Sequence, residues 1–105
     1  MSKGISKYIT EKNGNRKGLL LAKCFYEGEK AYFGVGYSLC NTKLDKFDKT
    51  KADSIAFGRA HKNAFGKCLN VPQSIQNEYL AFYNRAQRYF KNAEGGPVDL
   101  TIQTA

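Results

Sequence analysis

Three cysteines and one histidine, Cys24, Cys40, Cys68 and His61, are the side chains best suited to hold a metal in this 105-residue chain. A Cys₃His set is a familiar zinc donor set. The spacings here are fifteen, twenty and six intervening residues, and none is a C-x₂₋₄-C knuckle. Cysteines that pack as small hydrophobes would give the same pattern. No metal site and no cofactor are therefore assigned.

Catalytic signatures are equally thin. Gly34-Val35-Gly36 is not followed by a further G-x-x-G, and the chain contains neither a Walker loop nor a G-x-S-x-G elbow. Asp45 and Asp48 form a carboxylate pair, but lysines surround them and hold both ionised, which does not suit a general acid. The expectation is a protein that acts by binding rather than catalysis. Lys30–Tyr37, KAYFGVGY, agrees with the aromatic RNA-recognition strand pattern at Lys30, Tyr32, Val35 and Tyr37. Ala31, Phe33 and Gly34 depart from it, and the order of elements is wrong for that fold. The physical idea survives the rejection: an exposed Tyr32 could stack an unpaired base, with cross-strand packing as the other use of the ring.

Charge carries the strongest functional signal. The net charge is +8, with 17 Lys and Arg against 9 Asp and Glu. Residues 1–18 hold five basic residues and one acidic, residues 43–67 hold seven and three, and the rest of the chain balances. A basic excess concentrated in two places favours a polyanion, nucleic acid first. The candidate phosphate contacts are Lys43, Lys46, Lys49, Lys51 and Lys62, with Lys3, Lys7, Lys12, Arg16 and Lys17 of the basic N-terminal arm. Arg59 falls at the edge of an apolar helix face, where an unpaired cation is costly. It reads as structural, with Asp45 and Asp48 as partners.

These residues must be positioned by one domain, residues 1–105. No apolar run exceeds four residues, which rules out a membrane-spanning helix, and residues 1–10 have no apolar signal core. Three cysteines, an odd number, fit a reducing cytoplasm better than a disulfide scaffold. A short strand near residues 5–10 is the least distinct element. Leu19–Tyr26 and Ala31–Cys40 read as a hairpin about Glu27–Lys30, with Gly28 free to take a positive φ. In the second strand Phe33, Val35, Tyr37 and Leu39 share one face, and Tyr32, Gly34, Gly36, Ser38 and Cys40 the other.

A capping box over Thr50–Asp53 predicts a helix from Lys51 that stops at Gly66. Ala52, Ala56, Ala60 and Ala64 form a small-residue stripe on it. Gly58 inside that helix costs about 1 kcal/mol relative to Ala and hints at a close approach. After Pro72 a second helix is expected to about Asn92, with Ile75, Tyr79, Phe82, Tyr83, Ala86 and Phe90 on one face. EGGP at Glu94–Pro97 breaks the chain, and the alternation of Val98, Leu100 and Ile102 predicts a last strand. The sum is β-β-β-α-α-β, an α+β fold with an antiparallel sheet and both helices on one face.

Val35–Ala60, VGYSLCNTKLDKFDKTKADSIAFGRA, resembles a segment of small uncharacterised tailed-phage proteins that share glycine-aromatic-S-L-C, D-K-F-D-K and I-A-x-G-R-A. The resemblance spans about a quarter of the chain. It implies a phage-encoded protein made in a bacterial host cytoplasm, and it carries over no catalytic or binding residue. It also marks Asp45, Phe47, Asp48 and Arg59 as one unit joining hairpin and helix. Two functions fit such a protein: a basic module that binds nucleic acid through phosphate contacts, or an inhibitor or counter-defence protein that docks on a host protein or nucleoprotein.

Overall fold

The computed structural model describes residues 4–12, 14–40 and 46–98. Three long strands, β1 (Gly4–Thr10), β2 (Arg16–Glu27) and β3 (Lys30–Leu39), form an antiparallel meander. Gly28, with φ of 63°, opens the two-residue turn between Glu27 and Lys30, a position that calls for glycine. The helix α1 spans Lys49–Ala64. A short 3₁₀ turn at Gln73–Ile75 leads into α2, Gln76–Tyr89. The chain returns at β4, Glu94–Gly95, which pairs in parallel with Tyr32 and Phe33. The α+β class and the β-β-β-α-α-β order hold, and the doubtful first strand is present. The sheet is mixed, because β4 runs parallel to β3. The strand expected from Val98 through Leu100 and Ile102 lies almost wholly outside the described residues.

The placement of the helices corrects the one-face expectation. β2 buries Leu20, Ala22 and Cys24 on one side, with Phe33 and Val35 of β3, and this side meets Tyr79, Phe82, Ala86 and Phe90 of α2. Leu19 and Leu21 point the other way and meet Ala52 and Ala56 of α1. The helices therefore cover opposite faces. The cause is in the strand: LLLA is apolar without alternation because both of its faces are buried.

Gly34 and Gly36 set the distance at which α1 lies. A Cβ on Gly34 would stand 1.9 Å from the Ala60 carbonyl oxygen, and one on Gly36 would stand 2.0 Å from that of Ala56. The alanine stripe thus rests its backbone directly on glycine backbone. Gly58 differs from expectation, since a Cβ there would meet nothing within 4 Å.

Asp48, not Thr50, caps α1, its carboxylate accepting from the Lys51 amide at 3.1 Å. The helix begins two residues earlier than the capping-box reading because the first strong cap residue claims the free amides. It ends as expected, with Gly66 at φ 109° after the cap residue Phe65. The second helix stops at Tyr89, short of Asn92.

The outer edge of β3 is closed by side chains and, near β4, by backbone. Asn63 accepts from the Val35 amide at 3.0 Å, and the buried Tyr79 hydroxyl donates to the Val35 carbonyl at 2.8 Å. Arg59 donates to the Tyr37 carbonyl at 2.8 Å, and the Gly96 amide donates to that of Phe33 at 2.9 Å. Backbone groups that would otherwise invite another strand are thereby occupied. Asn63 also donates to the carbonyls of Lys67 and Pro97, at 3.0 and 2.9 Å. One buried amide thus joins α1, the sheet edge and the segment after β4.

Candidate nucleic-acid interface

The two basic segments of the sequence meet at one end of the sheet. β1 ends, β2 begins and β3 ends there, and α1 starts above them. The Cys40 amide donates to the Lys17 carbonyl at 2.7 Å, which ties the residue after β3 to the start of β2. Tyr8 is the hinge pin between the segments. The Arg16 guanidinium lies 3.9 Å over its ring, and Phe47 meets the same ring edge-on at 6.0 Å. A cation stacked on a half-buried surface ring such as Tyr8 contributes roughly 0.5–1 kcal/mol. It also fixes where the charge of Arg16 sits, beside the Lys46–Lys51 segment.

Lys12, Arg16, Lys46, Lys49 and Lys51 are exposed at this end, and Lys17 is half-buried. The first turn of α1 holds no acidic residue, and Asp48 is engaged by the helix amides. Lysines at a helix N-terminus oppose the helix dipole. The end therefore concentrates positive charge where it does not help folding. Glu27, Glu29 and Glu94 lie at the opposite end, around the hairpin turn and β4.

Other sequence candidates fall elsewhere. Lys7 is exposed in the middle of β1, opposite Leu20. Lys62 lies eleven residues beyond Lys51 on α1, about 16 Å further along the axis. Tyr32 is half-buried at the far end, its ring 5.6 Å from Phe65, in a cleft shared with Glu27, Glu94 and Gly95. Lys3, Lys43 and Asp45 lie outside the described residues. Arg59 takes the Tyr37 carbonyl and lies 4.4 Å over the Tyr37 ring, and Asp48 is committed to the helix cap.

The four metal-candidate side chains are dispersed. Cys24 is buried on the α2 side of the sheet, and His61 lies on the α1 side against Phe25. Cys40 is at the basic end, and Cys68 is exposed after α1. Among the described residues no group of three or more His, Cys, Asp or Glu is placed to hold a metal ion. No helix among them is long and apolar enough to cross a membrane.

Sequence reasoning missed two groups of aromatics. Phe47 was marked in the unit joining hairpin and helix, but its pairing with Tyr8, which joins the basic segments, was not. Phe57, His61 and Phe65 form a row on α1 with Phe25 of β2 beside it. The row had a signal in the sequence, since its members recur every fourth residue. Comparison of the chain with family models, curated proteins and solved structures returns no match.

Proposed function

We propose that the protein is a small nucleic-acid-binding module that grips phosphate with the basic end of its sheet and acts without catalysis. The observation that supports this is that Lys12, Arg16 and Lys17 share one end of the sheet with Lys46, Lys49 and Lys51, where Arg16 and Phe47 both meet the Tyr8 ring. Two segments separated in sequence by most of the β2–β3 hairpin add their charge to one surface. A surface of this kind gains most of its affinity from counterion release. The setting that goes with this proposal is a phage-encoded protein in a bacterial cytoplasm, as the Val35–Ala60 resemblance implies.

The test is binding of a labelled oligonucleotide by wild type, by Lys49→Gln/Lys51→Gln and by a control, Arg88→Gln/Lys91→Gln, whose residues are exposed at the end of α2 and beyond it. The first variant is expected to lose about tenfold or more in affinity at moderate salt and the control to change little. Equal loss in both, or no oligonucleotide binding by wild type at low salt, overturns the proposal. A host partner that survives nuclease treatment, together with that absence of binding, would assign the protein to the docking-inhibitor class instead.

A further inference from the structure

The aromatic row on α1 is a surface feature that the phosphate grip does not use. Phe57, His61 and Phe65 occupy successive turns on one side of the helix. Phe25 of β2 touches all three, with centroids at 5.7, 5.0 and 5.9 Å. Tyr32 extends the row past Phe65. Phe57 and Phe65 are 43% and 42% exposed, and His61 is exposed as well. Single exposed rings are ordinary, but a contiguous run of them marks a contact surface. The pairs within the row meet at 50–88° between planes, so no ring is sandwiched between two others.

Charge says what this surface fits. The Lys23 ammonium lies 6.0 Å from the Phe57 centroid. Lys62, exposed, is three residues before Phe65 on the same helix, and Lys67 is exposed just beyond it. Asp53, half-buried one turn before Phe57, is the carboxylate on that side of α1, and Glu27 and Glu94 border the far end by Tyr32. The row also begins just six residues after Lys51, about 9 Å along the helix from the basic end. Rings in a line, cations along their flank and a phosphate grip at one end are the parts a single strand needs. A duplex keeps its bases stacked inside and could use the cations but not the rings.

We propose that the row Phe57–His61–Phe65, with Phe25 and Tyr32, stacks the bases of single-stranded nucleic acid whose phosphates lead into the basic end. This rests on the phosphate-binding reading and adds selectivity for unpaired strands. The experiment compares a fluorescein-labelled oligo-dT 20-mer with a blunt 20-base-pair duplex by anisotropy, using wild type, Phe57→Leu/Phe65→Leu and Phe57→Ala/Phe65→Ala. Leucine keeps an apolar side chain and removes the ring, so a loss shared by both variants belongs to stacking. Circular dichroism confirms that each variant is folded.

Wild type is expected to prefer the single strand, and both variants to lose about tenfold or more of that affinity. Duplex binding and the salt slope are expected to stay the same. Unchanged single-strand binding in the leucine variant, or equal wild-type affinity for strand and duplex, overturns the stacking proposal and leaves the phosphate grip standing. Failure of wild type to bind either oligonucleotide overturns both. Loss in the variants of a defined protein partner, with oligonucleotide binding intact, would give the row to a protein and overturn the proposal.

Discussion

Adding one methyl group to Gly34 or Gly36 is expected to destabilise the protein severely, while the same change at Gly58 stabilises it. At Gly34 the new Cβ would lie 1.9 Å from the Ala60 carbonyl oxygen and 2.4 Å from the Ala64 nitrogen. At Gly36 it would lie 2.0 Å from the Ala56 oxygen and 2.5 Å from the Ala60 nitrogen. All four are backbone atoms of a hydrogen-bonded helix, so no side chain can swing aside. To reach even a close contact near 3.0 Å the helix must withdraw by about 1 Å. A gap of that size forfeits a quarter to a half of the dispersion energy of the atoms facing it. It also pulls Asn63 from the Val35 amide, now at 3.0 Å.

Overpacking usually costs about 1–3 kcal/mol, and a rigid backbone neighbour places these sites at about 3 kcal/mol or more. A domain of this size loses about 4–8 °C per kcal/mol. Each variant should therefore melt roughly 12 °C or more below wild type. Gly58→Ala meets nothing within 4 Å and removes a helix-interior glycine. It should gain about 0.5–1 kcal/mol. Thermal and urea unfolding followed by far-ultraviolet circular dichroism measure all three. Gly34→Ala and Gly36→Ala variants within about 0.5 kcal/mol of wild type would refute the claim that α1 rests on glycine backbone.

Asn63→Ala removes an acceptor from the Val35 amide and a donor from the Lys67 and Pro97 carbonyls. A loss of roughly 2–4 kcal/mol is expected in urea unfolding, since buried groups are left unpaired. Asp48→Ala should cost about 1 kcal/mol, and Thr50→Ala little, because Asp48 holds the cap; the reverse order would restore the Thr50 capping box. Burial pushes the Tyr79 hydroxyl well above its ordinary 10. The folded protein keeps this proton where the unfolded chain loses it, so the contribution is intact below pH 10 and falls above it by up to about 1.4 kcal/mol per pH unit. The stability gap between wild type and Tyr79→Phe should therefore shrink from pH 10 upward in urea titrations, and a constant gap would contradict it.

Local pattern made most elements legible. The alternation of Phe33, Val35 and Tyr37, the alanine stripe and the α2 face of Ile75, Tyr79, Phe82, Ala86 and Phe90 each follow a period that folding preserves. What depends on tertiary pairing was harder to read. Glu94–Gly95 has no strand signal of its own; it pairs because the Gly96 amide reaches the Phe33 carbonyl. The opposite placement of the helices was encoded in the unbroken LLLA run, which reads as a two-faced strand only once a helix is assigned to each side.

Charge clustering in the sequence pointed to the two basic segments, but not to their meeting. That depends on Tyr8 from one segment finding Phe47 of the other, a contact across 39 residues. The sequence suggested Asp45 and Asp48 as partners of Arg59, and the structure shows it donating to the Tyr37 carbonyl. That acceptor was not legible, because a backbone carbonyl leaves no mark in a sequence.

The salt dependence of single-strand binding tests most directly whether the two basic segments form one phosphate-binding surface. Six cations engaged at once give a slope of log affinity against log salt near about −4 for a single strand. Lys12→Gln/Lys17→Gln and Lys49→Gln/Lys51→Gln should each flatten that slope by about 1.4, and the combined variant by about twice as much. A flat wild-type slope, or a slope that responds to one segment and ignores the other, would contradict a single shared surface.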